Sequence, residues 1–255
     1  NSGTLVGLVT GEELVLNNPT SVIFSSKDVG DNINGTASRY TISNKDSFKA
    51  SNYNLLDTSK TTTANISKAD LTATLNDNSK TYDGTSYSGG NGITFNGFVN
   101  GETASLLGGN LVYSGTSQGA KDAGNYIISG SGLTSNNYNI SFVDGKLTIN
   151  KKGLTISNIT ANNKIYDGTT TATLSNSGTL DGLVTGEDLV LNNPTSVIFS
   201  SKDVGDNINV TATGYTIADK DSFKASNYNL RDTSKTTTAN IVASVNPTPN
   251  PTPNP

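Results

Sequence analysis

The chain's 255 residues leave room for two or three domains of ordinary size, and with only 33% hydrophobic and 7% aromatic residues a single large core is not expected. A formal charge of −4 with Lys and Arg scattered singly excludes the basic stripe that neutralises phosphates, so nucleic acid is not an expected partner. The absence of His and Cys excludes Ser-His-Asp and Cys-His nucleophiles and zinc sites of the usual N/S type, and no apolar stretch reaches the roughly 18 residues that span a bilayer.

A repeat organises the chain from its first residue. Asn1 to Ile66 align without a gap on Asn176 to Ile241, with 58 of 66 positions identical. A diverged copy lies between them and keeps the landmarks in order. Lys80-Thr81-Tyr82-Asp83-Gly84-Thr85 answers Lys164-Ile165-Tyr166-Asp167-Gly168-Thr169. Lys121-Asp122-Ala123-Gly124-Asn125 answers Lys202-Asp203-Val204-Gly205-Asp206, and Asn137-Tyr138-Asn139 answers both Asn52-Tyr53-Asn54 and Asn227-Tyr228-Asn229. The spacing is domain-sized rather than solenoid-sized, which divides the chain into 1–67, 68–150 and 151–242, with a Pro-rich linker over 243–255.

The first unit starts at the counterpart of Asn176 and so lacks everything equivalent to Leu154–Ser175, including a strand and the Tyr-Asp-Gly turn. It is expected to expose an apolar edge and to be the least protected third of the chain. The chain also begins without Met, and it is expected to be an excerpt of a longer gene product. Asp28, Asp31, Asn32 and Asn34 form a carboxylate-rich turn that recurs as Asp203, Asp206, Asn207 and Asn209. Oxygen ligation of Ca²⁺ is chemically open there, but the spacing is not that of an EF-hand and a plain hairpin turn is preferred.

In the second and third units the runs Leu71–Leu75, Leu147–Ile149, Leu154–Ile156 and Ser196–Ser200 alternate apolar and polar residues and read as half-buried strands. No helical stripe lasts more than about two turns, so the fold class is all-β with at most short helices. Asp-Gly at 83–84, 144–145 and 167–168 marks turns, because Gly accepts positive φ and Asp bonds the backbone two residues on. Tyr82 and Tyr166 are read as core or turn-packing residues with the hydroxyl at the rim, and sugar stacking is the alternative. Glu12, Glu102 and Glu187 each follow Gly; recurrence at one point of every unit favours bonds to a turn or a Lys over a pair of catalytic acids. The closing NPTPNPTPNP from Asn246 reads as a polyproline spacer.

At its Tyr-Asp-Gly landmarks the sequence resembles the YDG-type repeats of filamentous-haemagglutinin-like bacterial adhesins, which leave the cell by two-partner secretion. The ending Asn137-Tyr138 … Gly145-Lys-Leu147-Thr-Ile149-Asn-Lys151 is also similar to that of bacterial MBG modules. The resemblance implies small β modules of β-grasp-like type, strung in tandem as an elongated rod on the cell surface. It implies no enzyme and no cofactor. The repeat motif itself is carried by Tyr53, Tyr82, Asp83, Gly84, Tyr138, Tyr166, Asp167, Gly168 and Tyr228. Expected partners are the neighbouring repeats of the same chain, with host or matrix glycans reached through other regions. The expected role is a stalk that presents a distal binding region in adhesion or biofilm formation; a glycan- or matrix-binding module is the alternative.

Overall fold

The computed structural model describes residues 3–245, so the Pro-rich spacer from Asn246 lies outside the described residues. Among the described residues strands hold 52% and no helix reaches seven residues. The helical content among the described residues is three single 3₁₀ turns, at Ala50–Asn52, Ala104–Leu106 and Ala225–Asn227. Two of these turns immediately precede the Tyr of an Asn-Tyr landmark.

Two compact units are present among the described residues: 3–74, 93–112 and 131–143 form one, and 75–92, 113–130 and 144–245 form the other. The second contains the whole of the third repeat. Its main sheet runs Lys164–Ile165, Ser234–Val242, Gly205–Thr213, Ser196–Phe199. A second sheet places Lys152–Ser157 centrally, antiparallel to Thr179–Asp181 and parallel to Tyr228–Leu230. Alternation explains the choice of strand: Leu154 and Ile156 are buried while their neighbours are only half-buried. Phe199, Val210, Ala239 and Ile241 make one core cluster, and Ile156, Ala212 and Tyr215 make another. The Tyr215 hydroxyl is buried with no hydrogen-bond partner among the described atoms.

The first unit contains the first repeat, in which Ser21–Phe24, Gly30–Ser38 and Ser59–Ile66 form a three-stranded sheet in the same register as their counterparts. The counterparts of the second sheet are not strands. Thr4–Val6 corresponds to Thr179–Asp181 and Tyr53–Leu55 to Tyr228–Leu230, yet neither is paired; the counterpart of the strand that joins them in the third repeat would stand before Asn1. Burial differs between the copies as well: Phe199, 2% exposed, is covered by Thr170 to Ala172 and paired with Val210, whereas Phe24, 44% exposed, is paired with Gly35.

The second repeat supplies Tyr138–Val143, parallel to Ala69–Leu75, in the first unit. In the second unit it supplies Gly145–Asn150, parallel to Asn78–Thr81 and antiparallel to Gly124–Ile128 within the Gly124–Thr134 strand. Asp144-Gly145 is not the turn expected there. Gly145 opens a strand, and what demands glycine is close approach: a Cβ would stand 2.5 Å from the Leu75 carbonyl oxygen.

Candidate functional site

Three copies of one carboxylate–phenol pair recur along the chain. The Tyr53 hydroxyl donates to Glu12 Oε2 at 2.6 Å, Tyr138 to Glu102 Oε2 at 2.6 Å and Tyr228 to Glu187 Oε2 at 2.6 Å. Each tyrosine oxygen in turn accepts a backbone N–H three residues before the Glu, from Val9, Val99 or Val184. The Glu of every Gly-Glu landmark and the Tyr of every Asn-Tyr landmark therefore form a single fixed unit. In the second and third repeats the other carboxylate oxygen, Oε1, takes a further donor.

In the third repeat that donor is Tyr82 of the second repeat. Its hydroxyl reaches Glu187 Oε1 at 2.7 Å and its ring meets Tyr228 edge-on at 5.3 Å and 75°. Burial, then the Glu187 carboxylate, raises the Tyr82 hydroxyl, and the same two causes push Tyr228 up to about 12. A second contact stands beside it. Buried Asn227 donates from Nδ2 to Asp122 Oδ1 at 2.9 Å and accepts the Ala123 N–H on Oδ1 at 2.7 Å. Lys224 adds an ion pair to Asp122 Oδ2 at 2.8 Å, and Lys224 and Asn227 together hold the Asp122 carboxyl below its usual range.

The second repeat receives the first in the same way. Asn137 donates to Asp28 Oδ1 at 2.8 Å and accepts the Val29 N–H at 3.0 Å. Glu102 Oε1 takes Lys27 Nζ at 3.0 Å where Glu187 takes a tyrosine hydroxyl. A cavity of about 120 Å³ lies beside this contact, between Val29, Ile66, Val99 and Tyr138. Tyr138 and Lys27 both keep the Glu102 carboxyl below its ordinary value.

The Tyr-Asp-Gly motif is a device for presenting its tyrosine. Asp83 Oδ1 accepts from the Thr85 N–H at 2.9 Å, the Thr85 hydroxyl at 2.7 Å and Lys80 Nζ at 2.7 Å. Asp167 repeats this with Thr169 and Lys164. Lys80 and Lys164 lead the causes that hold these two carboxyls at about 2. Glycine closes both turns at φ +75° and +78°, but only Gly84 meets a neighbour, Val184 Cγ1 at 3.0 Å from a would-be Cβ. The two tyrosines differ accordingly. Tyr82 is 3% exposed and Tyr166 is 40% exposed, although their local sequences match. Tyr166 is therefore presented at the surface rather than packed as expected for a core or turn residue.

Among the described residues no group of three or more acidic side chains gathers as a metal site would require. Asp28 and its counterpart Asp122 instead carry the asparagine contacts, and Asp203 accepts from the Ser201 hydroxyl. No described helix is long and apolar enough to cross a membrane.

Comparison with known families places two domains on this framework. Residues 71–148 match the MBG domain of YGX type, and residues 150–239 match the YDG domain. No curated protein matches the chain. The Glu-Tyr unit with its asparagine lies inside both matched segments.

Proposed function

We propose that this chain is a segment of structural repeats from an extracellular bacterial surface adhesin, and that the Glu-Asn-Tyr unit of each repeat is the socket into which the preceding repeat plugs. The observation that carries this reading is repetition. In two successive sockets, Glu102-Asn137-Tyr138 and Glu187-Asn227-Tyr228, the asparagine binds the Asp side chain and the following N–H of equivalent turns of the repeat before, Asp28-Val29 and Asp122-Ala123. Repeat proteins gain stability from nearest-neighbour interfaces of this kind, and such interfaces add length without needing a ligand. The presence of MBG and YDG domains supports a β-rich extracellular or binding module. The notion of a stalk that presents a distal binding region, exported by two-partner secretion, goes a step further and rests on resemblance.

All three recurring Glu side chains, Glu12, Glu102 and Glu187, are bonded to tyrosine hydroxyls, an arrangement that suits structure rather than acid catalysis. Single-molecule stretching tests the stalk reading. A load-bearing array is expected to give one unfolding step per repeat, each releasing roughly 300 Å of chain at about 3.5 Å per extended residue. Saturable binding of the chain to a glycan array, together with unfolding at negligible force, would favour the glycan-binding alternative.

A further inference from the structure

Parallel pairing recurs at the same two places in the second and third repeats, where the chain enters a repeat and where it leaves. The third repeat opens with Lys152–Ser157, which lies parallel to Tyr228–Leu230 in the register Lys152↔Tyr228, Gly153↔Asn229 and Leu154↔Leu230. Tyr228–Leu230 runs on through Arg231 to Thr233 into the closing strand, Ser234–Val242, whose last two residues lie parallel to Lys164–Ile165. One further backbone bond extends each pairing, from the Arg231 N–H to the Leu154 carbonyl at 3.0 Å and from the Tyr166 N–H to the Val242 carbonyl at 2.8 Å. The second repeat follows the same plan. Its closing strand, Gly145–Asn150, lies parallel to Asn78–Thr81 over four positions, and the Tyr82 N–H adds a bond to the Asn150 carbonyl at 2.8 Å. Its opening strand, Ala69–Leu75, lies parallel to Tyr138–Val143 over six positions.

The direction of a pairing decides how it meets tension. Where two pulled strands are antiparallel neighbours, the pulled ends stand side by side and the ladder opens one bond at a time. Where they are parallel, the pulled ends stand at opposite ends of the ladder and its bonds are loaded together, along the strands. Parallel pairing is slightly weaker per residue at equilibrium and needs a long crossover, so stability alone does not select it for these positions. The strands so placed are also dry. Leu147, Ile149, Leu154 and Ile241 are at most 2% exposed, which keeps water from replacing a ladder bond as it stretches. The Lys-x-Tyr-Asp-Gly motif anchors the partner of each closing strand. Lys164 Nζ bonds the Thr169 and Thr171 carbonyls at 2.9 and 3.0 Å as well as Asp167, and Lys80 Nζ bonds the Thr85 carbonyl at 3.2 Å as well as Asp83.

We infer that these parallel pairings are shear clamps, and that they give the second and third repeats a mechanical function: each holds its fold against tension that enters through its first strand and leaves through its last. The inference deepens the proposed stalk role and rests on it for the direction of the force; the clamps themselves rest on strand polarity.

Because the chain has no Cys, pairs of Cys substitutions fix the points where force is applied. In the full chain, handles at Lys151→Cys and Ala243→Cys pull the third repeat from entry to exit and load its clamps in shear. Handles at Lys151→Cys and Ser226→Cys pull on the adjacent starts of Lys152–Ser157 and Tyr228–Leu230 and unzip them. All three positions are exposed, and the two variants are expected to melt together, so that only the direction of pulling differs. Single-molecule stretching at one speed is expected to give a rupture force about threefold higher in the first geometry, since three paired positions share the load that unzipping places on one at a time. Equal or reversed forces in the two geometries, with measurable resistance in both, would overturn the clamps and leave the stalk reading standing. Unfolding at negligible force in both geometries would overturn the clamps and the stalk reading together.

Discussion

Replacing Tyr82 by Phe isolates one hydrogen bond at the boundary between the second and third repeats. The substitution keeps the ring, its burial and its edge-on contact with Tyr228, and removes only the hydroxyl that donates to Glu187 Oε1 at 2.7 Å. Hydrogen bonds to a charged partner contribute about 1.5–3 kcal/mol. Glu187 keeps the Tyr228 hydroxyl on Oε2 and is only half-buried, so the lower end applies and the expected loss is about 1.5 kcal/mol. For a cooperative unit of this size that is a fall in Tm of roughly 3–6 °C. Tyr166→Phe provides an internal control, because the same motif there presents a tyrosine that is 40% exposed, and its effect is expected within about 0.5 kcal/mol. Urea denaturation followed by far-UV circular dichroism measures both, and combining Tyr82→Phe with Glu187→Gln is expected to show coupling of about 1 kcal/mol. Equal effects at Tyr82 and Tyr166, or additive behaviour of Tyr82 and Glu187, would refute the assignment of Glu187 as the receiving group.

Phe199→Ala is expected to cost about 3–5 kcal/mol and Phe24→Ala less than about 1 kcal/mol, because the second side chain is already half in water; the pair is read by denaturation of the full chain. Tyr215→Phe removes a buried hydroxyl that has no partner and is expected to be neutral or stabilising by up to about 1 kcal/mol. Alkaline titration is expected to weaken the second boundary. Tyr228 keeps its proton up to about 12, above the value of about 10 that it has unfolded, so its contribution is complete below pH 10 and lost as pH rises through 12. On the acid side Asp83 and Asp167 are depressed to about 2, so their turns are present above about pH 4 and are lost as pH falls through 2, which exchange at the Thr85 and Thr169 amides follows.

Local patterns in the sequence carried the strands and the Tyr-Asp-Gly turns because both are set within a few residues. Leu71–Leu75 and Leu154–Ile156 alternate, and Asp83 and Asp167 bond Thr two positions on. The preference of Glu for a Lys or a turn was right for Glu102, which meets Lys27. Its principal partner was not anticipated. Glu12, Glu102 and Glu187 bond tyrosines 36 to 41 residues away, and nothing local announces a pairing at that range. A signal did exist, since Gly-Glu and Asn-Tyr recur together in all three copies. The fates of Tyr82 and Tyr166 could not be separated from their matching motifs, because what buries Tyr82 is its contact with Glu187 and Tyr228, far outside the motif. Phe24 and Phe199 likewise stand within identical segments, and what covers Phe199 lies outside the segment, in Thr170 to Ala172 and in Val210, whose place Gly35 takes opposite Phe24.

Amide exchange at Val29 and Ala123 in the full chain tests the coupling of neighbouring repeats most directly, since each N–H donates to the asparagine of the next repeat, at 3.0 Å and 2.7 Å. Asn227→Ala is expected to speed exchange at Ala123 by an order of magnitude or more while leaving Val29 unchanged, and Asn137→Ala is expected to do the reverse, in line with about 1–3 kcal/mol for orphaning a buried donor. Unchanged exchange at Ala123 in Asn227→Ala, or equal acceleration at both amides in either variant, would contradict the socket as the element that joins one repeat to the next.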